Sequence, residues 1–70
     1  MTILEDAINM LRQHGLEPEI EDGGAHVKIE FESTLGNPCT LVILRQPSGQ
    51  IAINRARLRY HLRRAIDDRP

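Results

Sequence analysis

His26-Val27-Lys28-Ile29-Glu30-Phe31-Glu32 decides the fold. Val27, Ile29 and Phe31 alternate with His26, Lys28, Glu30 and Glu32, and that period of two is the mark of a strand with one apolar and one wet face. Toward the C-terminus, Leu35-Gly36-Asn37-Pro38 reads as a loop and Thr40–Arg45 as a second strong strand. Leu41, Val42, Ile43 and Leu44 are apolar on both faces of that strand. One face must cover the core, and the other must be covered by something else or stand as an exposed patch. Toward the N-terminus, Asp22-Gly23-Gly24 is a turn, and Glu19–Glu21 is a short strand entered through Pro18, which suits the start of an edge strand.

Helices flank these strands. Thr2 and Glu5 have the spacing of a capping box, and Ile3, Leu4, Ala7, Ile8 and Leu11 then recur at helical intervals, with Met10 beside the stripe. Glu5 and Asp6 fall in the first turn, where the helix dipole favours anions, and Gly15 suits the C′ position after His14. The pattern predicts a helix over Ile3–His14. Pro47-Ser48-Gly49 ends the last strand, and Ser48 is a suitable N-cap for a second helix over Gln50–Ile66. Its stripe is Ile51, Leu58, Leu62, Ala65 and Ile66, with Arg55 as a polar intruder and Ile53, Arg57, Tyr60 and Arg64 on the other side. The sequence thus predicts an α+β domain of two layers, α-β-β-β-α, with a three-stranded antiparallel sheet covered on one side by two amphipathic helices. It forms a single domain over 1–70, in which 67–70 is a frayed polar tail.

Composition narrows the function classes. A chain of 70 residues buries only about 60% of its unfolded surface, so its core is small. One Phe, one Tyr and no Trp disfavour a sheet that stacks bases on aromatic faces. The single cysteine excludes an intramolecular disulfide framework and a cysteine-based zinc finger, and His14, His26 and His61 are too widely spaced for a metal site. No cofactor motif is present. The longest apolar run, Leu41–Leu44, is far short of the roughly 20 residues that span a bilayer, and no basic segment leads into an apolar one at the start. The expectation is a cytoplasmic protein without a membrane partner.

The net charge of −1 conceals two unlike halves. Residues 1–35 hold two bases and eight acids, a balance of −6; residues 36–70 hold seven arginines and two acids, a balance of +5, and the two sum to −1. A chain polarised in this way can offer its basic end to an anionic partner, pair its own halves or associate with a second copy. All the bases of the second half are arginine, which suits bidentate contact with phosphate or carboxylate.

The element order, together with Gly23-Gly24-Ala25-His26 at the opening of the central strand, resembles the HicA family, small toxins with a double-stranded-RNA-binding-like fold. The likeness is greatest to phage- and prophage-encoded relatives, whose Pro-Ser turn and Arg-rich helix containing an Asn correspond to Pro47-Ser48 and to Asn54 with Arg57, Arg63 and Arg64. It covers nearly the whole chain through short motifs. It implies an RNA-binding protein acting as an mRNA interferase, neutralised by a HicB-like antitoxin, with His26 as the catalytic residue. Three departures stand out: Ala25 replaces the usual Ser, the chain is slightly acidic where the family's toxins are basic, and the first helix, which the family uses in RNA binding, exposes Glu5 and Asp6, which repel phosphate.

The candidate residues fall into three groups. His26 could serve as general base toward a 2′-hydroxyl with Lys28 stabilising the phosphorane charge, against the plainer reading of a solvent-facing strand residue. Arg57, Tyr60, Arg63 and Arg64, together with Lys28, are the nucleic-acid-binding candidates, joining phosphate contact to ring stacking; the plainer reading is a solvated helix face. Thr40, Val42 and Leu44, on the outer side of the third strand, are the protein-interface candidates, through which a homodimer would form. The alternative function is a phage- or prophage-encoded, non-enzymatic protein that binds and inhibits a host protein. Cys39, with no base beside it in sequence, is read as a packing residue in the loop before the third strand.

Overall fold

A computed structural model describes residues 2–67. It comprises α1 (Ile3–Gln13), β1 (Glu19–Asp22), β2 (His26–Glu32), β3 (Pro38–Leu44) and α2 (Arg55–Ile66). The fold is α+β, with both helices against one face of an antiparallel sheet of order β1-β2-β3. No described helix is long and apolar enough to cross a membrane.

The alternation in β2 positions everything else. Val27, Ile29 and Phe31 are buried, and Ile43 of β3 joins them from the neighbouring strand, where it faces Val27. Leu11, Met10 and Ala7 of α1 and Leu58, Leu62 and Ile66 of α2 close over Ile29, Phe31 and Ile43. α1 begins with the capping box read from the sequence: Thr2 Oγ1 accepts from the Glu5 amide at 3.1 Å, and Glu5 accepts from the Thr2 amide at 3.3 Å. It ends at His14, whose Nδ1 lies 2.9 Å from the Met10 carbonyl, and Gly15 follows in the left-handed region with φ +78°. Asp6 of α1 accepts from Arg59 of α2 at 3.1 Å, which ties the helices across their seam.

The loop between β2 and β3 also fastens α2. Buried Ser33 accepts the Leu35 and Asn37 amides on its Oγ, so the loop is bonded to itself. Thr34 then donates to the Ile66 carbonyl through both its amide, at 2.9 Å, and its hydroxyl, at 3.0 Å. A carbonyl left over at the end of α2 is thereby satisfied by a residue 32 positions earlier in the chain.

Two boundaries depart from the sequence reading by more than one residue. α2 starts at Arg55 rather than Gln50, and its N-cap is Asn54, whose Oδ1 accepts the Arg57 amide at 2.8 Å, rather than Ser48. Pro47-Ser48-Gly49 forms a turn closed by Gln46 and Gln50, and the chain returns along β3 through an isolated Arg45–Ile51 bridge. Ile51 therefore packs on the core from the bridge and not from a helical stripe, Ile53, read as facing away from that stripe, packs on the core from the bend that follows, and Arg55 is no intruder because the helix only begins there. β3 starts at Pro38, two residues before Thr40, so Cys39 is a half-buried strand residue rather than a loop residue. Of the tail 67–70, the expected fraying of 68–70 lies outside the described residues, and Asp67 is the C-cap of α2.

Leu62 is fully buried between the sheet and α1, whereas Tyr60 on the same helix is 55% exposed. Leu62→Ala should lower the unfolding free energy by roughly 2–5 kcal/mol in urea denaturation. Tyr60→Ala should cost less than about 1 kcal/mol.

Candidate functional site

Directly paired residues of an antiparallel sheet share a face, so the register assembles the side of the sheet that the helices leave bare. Glu21 pairs with Lys28 and Glu19 with Glu30; across β2, His26 pairs with Leu44, Lys28 with Val42 and Glu30 with Thr40. The open face therefore carries four carboxylates, of Glu19, Glu21, Glu30 and Glu32, against one ammonium, of Lys28. Lys28 Nζ lies 3.9 Å from Glu21 and 3.7 Å from Glu30, so that cation is already neutralised locally. The face repels phosphate over most of its area and turns apolar only along β3, where Val42 is 53% and Leu44 56% exposed.

His26 stands at the end of this face, exposed, opposite Leu44. Among the described residues no carboxylate orients its ring, so the base–orienter pairing that a general-base imidazole commonly uses is not assembled here. The turn that leads to it is well organised. Asp22 Oδ1 accepts the Gly24 amide at 3.0 Å, and Asp22 Oδ2 accepts from Arg45 Nη2 at 2.6 Å. Gly24 itself has φ +87°, a conformation that a side chain would strain. Arg45 Nη1 donates to the Gly49 carbonyl at 2.9 Å, so one guanidinium brackets the glycine turn and the Pro47-Ser48-Gly49 turn together. Sequence reasoning passed over Arg45, because its partners are 23 and 4 residues away and no spacing rule joins them.

On the opposite side of the sheet, α2 is basic. α2 carries Arg55, Arg57, Arg59, Arg63 and Arg64 and no acid in its 12 residues. Its exposed surface includes a shallow groove of about 350 Å³ lined by Ala56, Arg59, Tyr60 and Arg63. Arg64 Nη1 donates to the Tyr60 hydroxyl at 2.6 Å, and the His61 ring meets the Tyr60 ring edge-on at 5.5 Å. Arg59 is held by Asp6, whereas Arg57 and Arg63 make no ion pair among the described residues. The structure thus brings Arg57, Tyr60, Arg63 and Arg64 onto one helix and puts Lys28 and His26 on the far side of the sheet. An RNA phosphate held by Arg57 would be separated from the His26 ring by the sheet and its core.

The third candidate surface is the outer edge of β3. Arg45 donates its amide to Ala25, so alternate residues Cys39, Leu41 and Ile43 direct their backbone groups toward β2, and Thr40, Val42 and Leu44 direct theirs outward. The Leu44 carbonyl accepts the Ala52 amide at 2.9 Å, which occupies the outer edge at that end. Among the described residues no strand pairs with the edge at Thr40 and Val42. No three of the described His, Cys, Asp or Glu residues are grouped so as to hold a metal ion.

Scans against protein-family models, curated proteins and solved structures each found no match to this chain.

The hydrogen bond from the Gly24 amide is the main cause that holds the Asp22 carboxyl below its usual value of 3.8; desolvation opposes it, and the Arg45 guanidinium adds a lesser lowering. The Thr2 contacts likewise hold Glu5 below 4.5. A depressed folded-state pKa stabilises above the unfolded value and loses that contribution as pH falls through the folded one. Stability should therefore decline below about pH 4. Asp22→Asn should flatten part of that acid limb in thermal melts taken against pH, leaving the Glu5 share; an unchanged limb would show that Asp22 is not linked to folding.

Proposed function

We propose that the chain is an RNA-binding protein of double-stranded-RNA-binding-like architecture that grips the phosphate backbone with the outer face of α2. The observation that carries this reading is the charge of that helix: five arginines and no acid in twelve residues, with no ion pair at Arg57 or Arg63 among the described residues. Stability alone does not select such a helix. Arg55 and Arg57 lie in its first turn, where the dipole is unfavourable to cations, and neighbouring arginines at i, i+4 repel one another. A polyanion laid along the helix relieves both costs, and Tyr60 adds a ring face on which a base can stack. The likeness to HicA proteins supports the same ligand class.

The reading is one of binding without cleavage. His26 stands at one end of the other face, which carries Glu19, Glu21, Glu30 and Glu32, and its neighbour on that face, Lys28, is committed to two of those carboxylates. A cation beside the scissile phosphate would assist a catalytic imidazole, but the arginines of α2 are on the other side of the sheet, and Arg45 near the glycine turn is committed to Asp22 and Gly49. The alternative, a non-enzymatic inhibitor of a host protein, draws on the neutral, half-apolar edge of β3 instead.

Fluorescence anisotropy with a labelled RNA hairpin tests the reading. Affinity should fall steeply with salt, and Arg57→Glu with Arg63→Glu should weaken binding by about tenfold or more and lower the salt slope by about two. Absence of binding at low salt, or equal binding by the double variant, would remove RNA as the ligand. Cleavage that vanishes in His26→Ala would restore the interferase reading. A protein captured in a salt-insensitive way and lost in Val42→Lys/Leu44→Lys would favour the host-protein reading.

A further inference from the structure

We propose that two copies of the chain join their β3 edges antiparallel about a two-fold axis at Thr40, forming one six-stranded sheet. The inference rests on the edge of β3 and stands apart from the RNA reading.

The two edges of the sheet differ. The β1 edge carries Glu19, Glu21 and Asp22, and acids of that density oppose pairing with a second copy. From Pro38 to Leu44 the β3 edge carries no charged residue. Pairing β3 with itself sets no like charges opposite each other. The nearest acids on the open face, Glu30 and Glu32 of each β2, would then lie three strand spacings apart, about 14 Å, which exceeds the screening length of about 8 Å at physiological salt.

The free length of the edge fixes the register. Ala52 takes the Leu44 carbonyl, so a new strand can pair from Pro38 to Val42 and no further. The midpoint of that stretch is Thr40. With Thr40 on the axis, the two Thr40 residues exchange two backbone bonds, and each Val42 amide donates to the partner's Pro38 carbonyl. Pro38 has no N–H to offer, and at this register it falls at the rim of the pairing, where the cost of a missing donor is least. Each half-exposed Val42 then packs beside the partner's Pro38, and the two Thr40 hydroxyls adjoin. The axis runs through the plane of the sheet, so all four helices lie on one side and the two arginine-bearing α2 surfaces share it.

Cross-linking and sedimentation test the register directly. In a Cys39→Ala background, Thr40→Cys puts two thiols opposite each other across the axis, within the Cα separation of about 4.4–6.8 Å that a disulfide accepts. Val42→Cys in the same background offsets them by four residues, about 13 Å along the strands. Under mild oxidation the Thr40→Cys chain should form a covalent dimer at least tenfold faster than the Val42→Cys chain. The wild-type chain at high concentration should sediment at twice its 8.0 kDa, unaffected by added salt, and Thr40→Lys should return it to 8.0 kDa. A wild-type chain that stays at 8.0 kDa, or equal cross-linking of the two cysteine variants, overturns the proposal.

Discussion

A single sheet with one greasy side governs this molecule. Val27, Ile29, Phe31 and Ile43 present an apolar surface, and the described residues hold two helices with which to roof it. Both are therefore spent on the same side, and the other side is left to solvent. At about 25 cal/mol per Å² of apolar surface removed from water, that burial is the dominant favourable term available to so short a chain. The Asp6–Arg59 pair, the Thr34–Ile66 bonds and the Arg45 bracket align elements that this burial has already brought together.

Charge then follows architecture. Residues that cannot enter the core are displayed on two outer surfaces facing away from each other: carboxylates on the bare sheet, guanidiniums on α2. Four of the eight acids of residues 1–35 lie on the bare sheet, and five of the seven arginines of residues 36–70 lie on α2. Between the faces runs the neutral edge of β3. Each surface suits a different kind of contact, and the imidazole of His26 belongs to the face least hospitable to phosphate.

Much of this was legible in the residues, because the strongest signals were local. The capping box at Thr2 and Glu5 and the period-two run in β2 each resolve within a dozen residues, and both stand as read. The start of α2 did not, because Ile51 falls on the extrapolated helical stripe while its chain is held extended by the bridge to Arg45. Ser48 and Asn54 are both good caps, and only the turn closed by Gln46 and Gln50 decides between them. The acidity of the open face was half legible: Glu30 and Glu32 announce themselves in β2, but Glu19 and Glu21 join them only through the β1–β2 register. That Arg57, Tyr60, Arg63 and Arg64 share one helix follows from their spacing; their separation from Lys28 required knowing which side of the sheet the helices take.

The order of elements along the chain also has a consequence for how the molecule comes into being. Hairpins β1–β2 and β2–β3 need only neighbouring residues, but the roof over them is made from the first and last described elements, and the Asp6–Arg59 pair spans 53 positions. A nascent chain thus has only α1 with which to cover Val27, Ile29, Phe31 and Ile43 until α2 emerges from the ribosome. That interval, rather than the finished fold, is when the chain is most exposed to aggregation and to capture by chaperones.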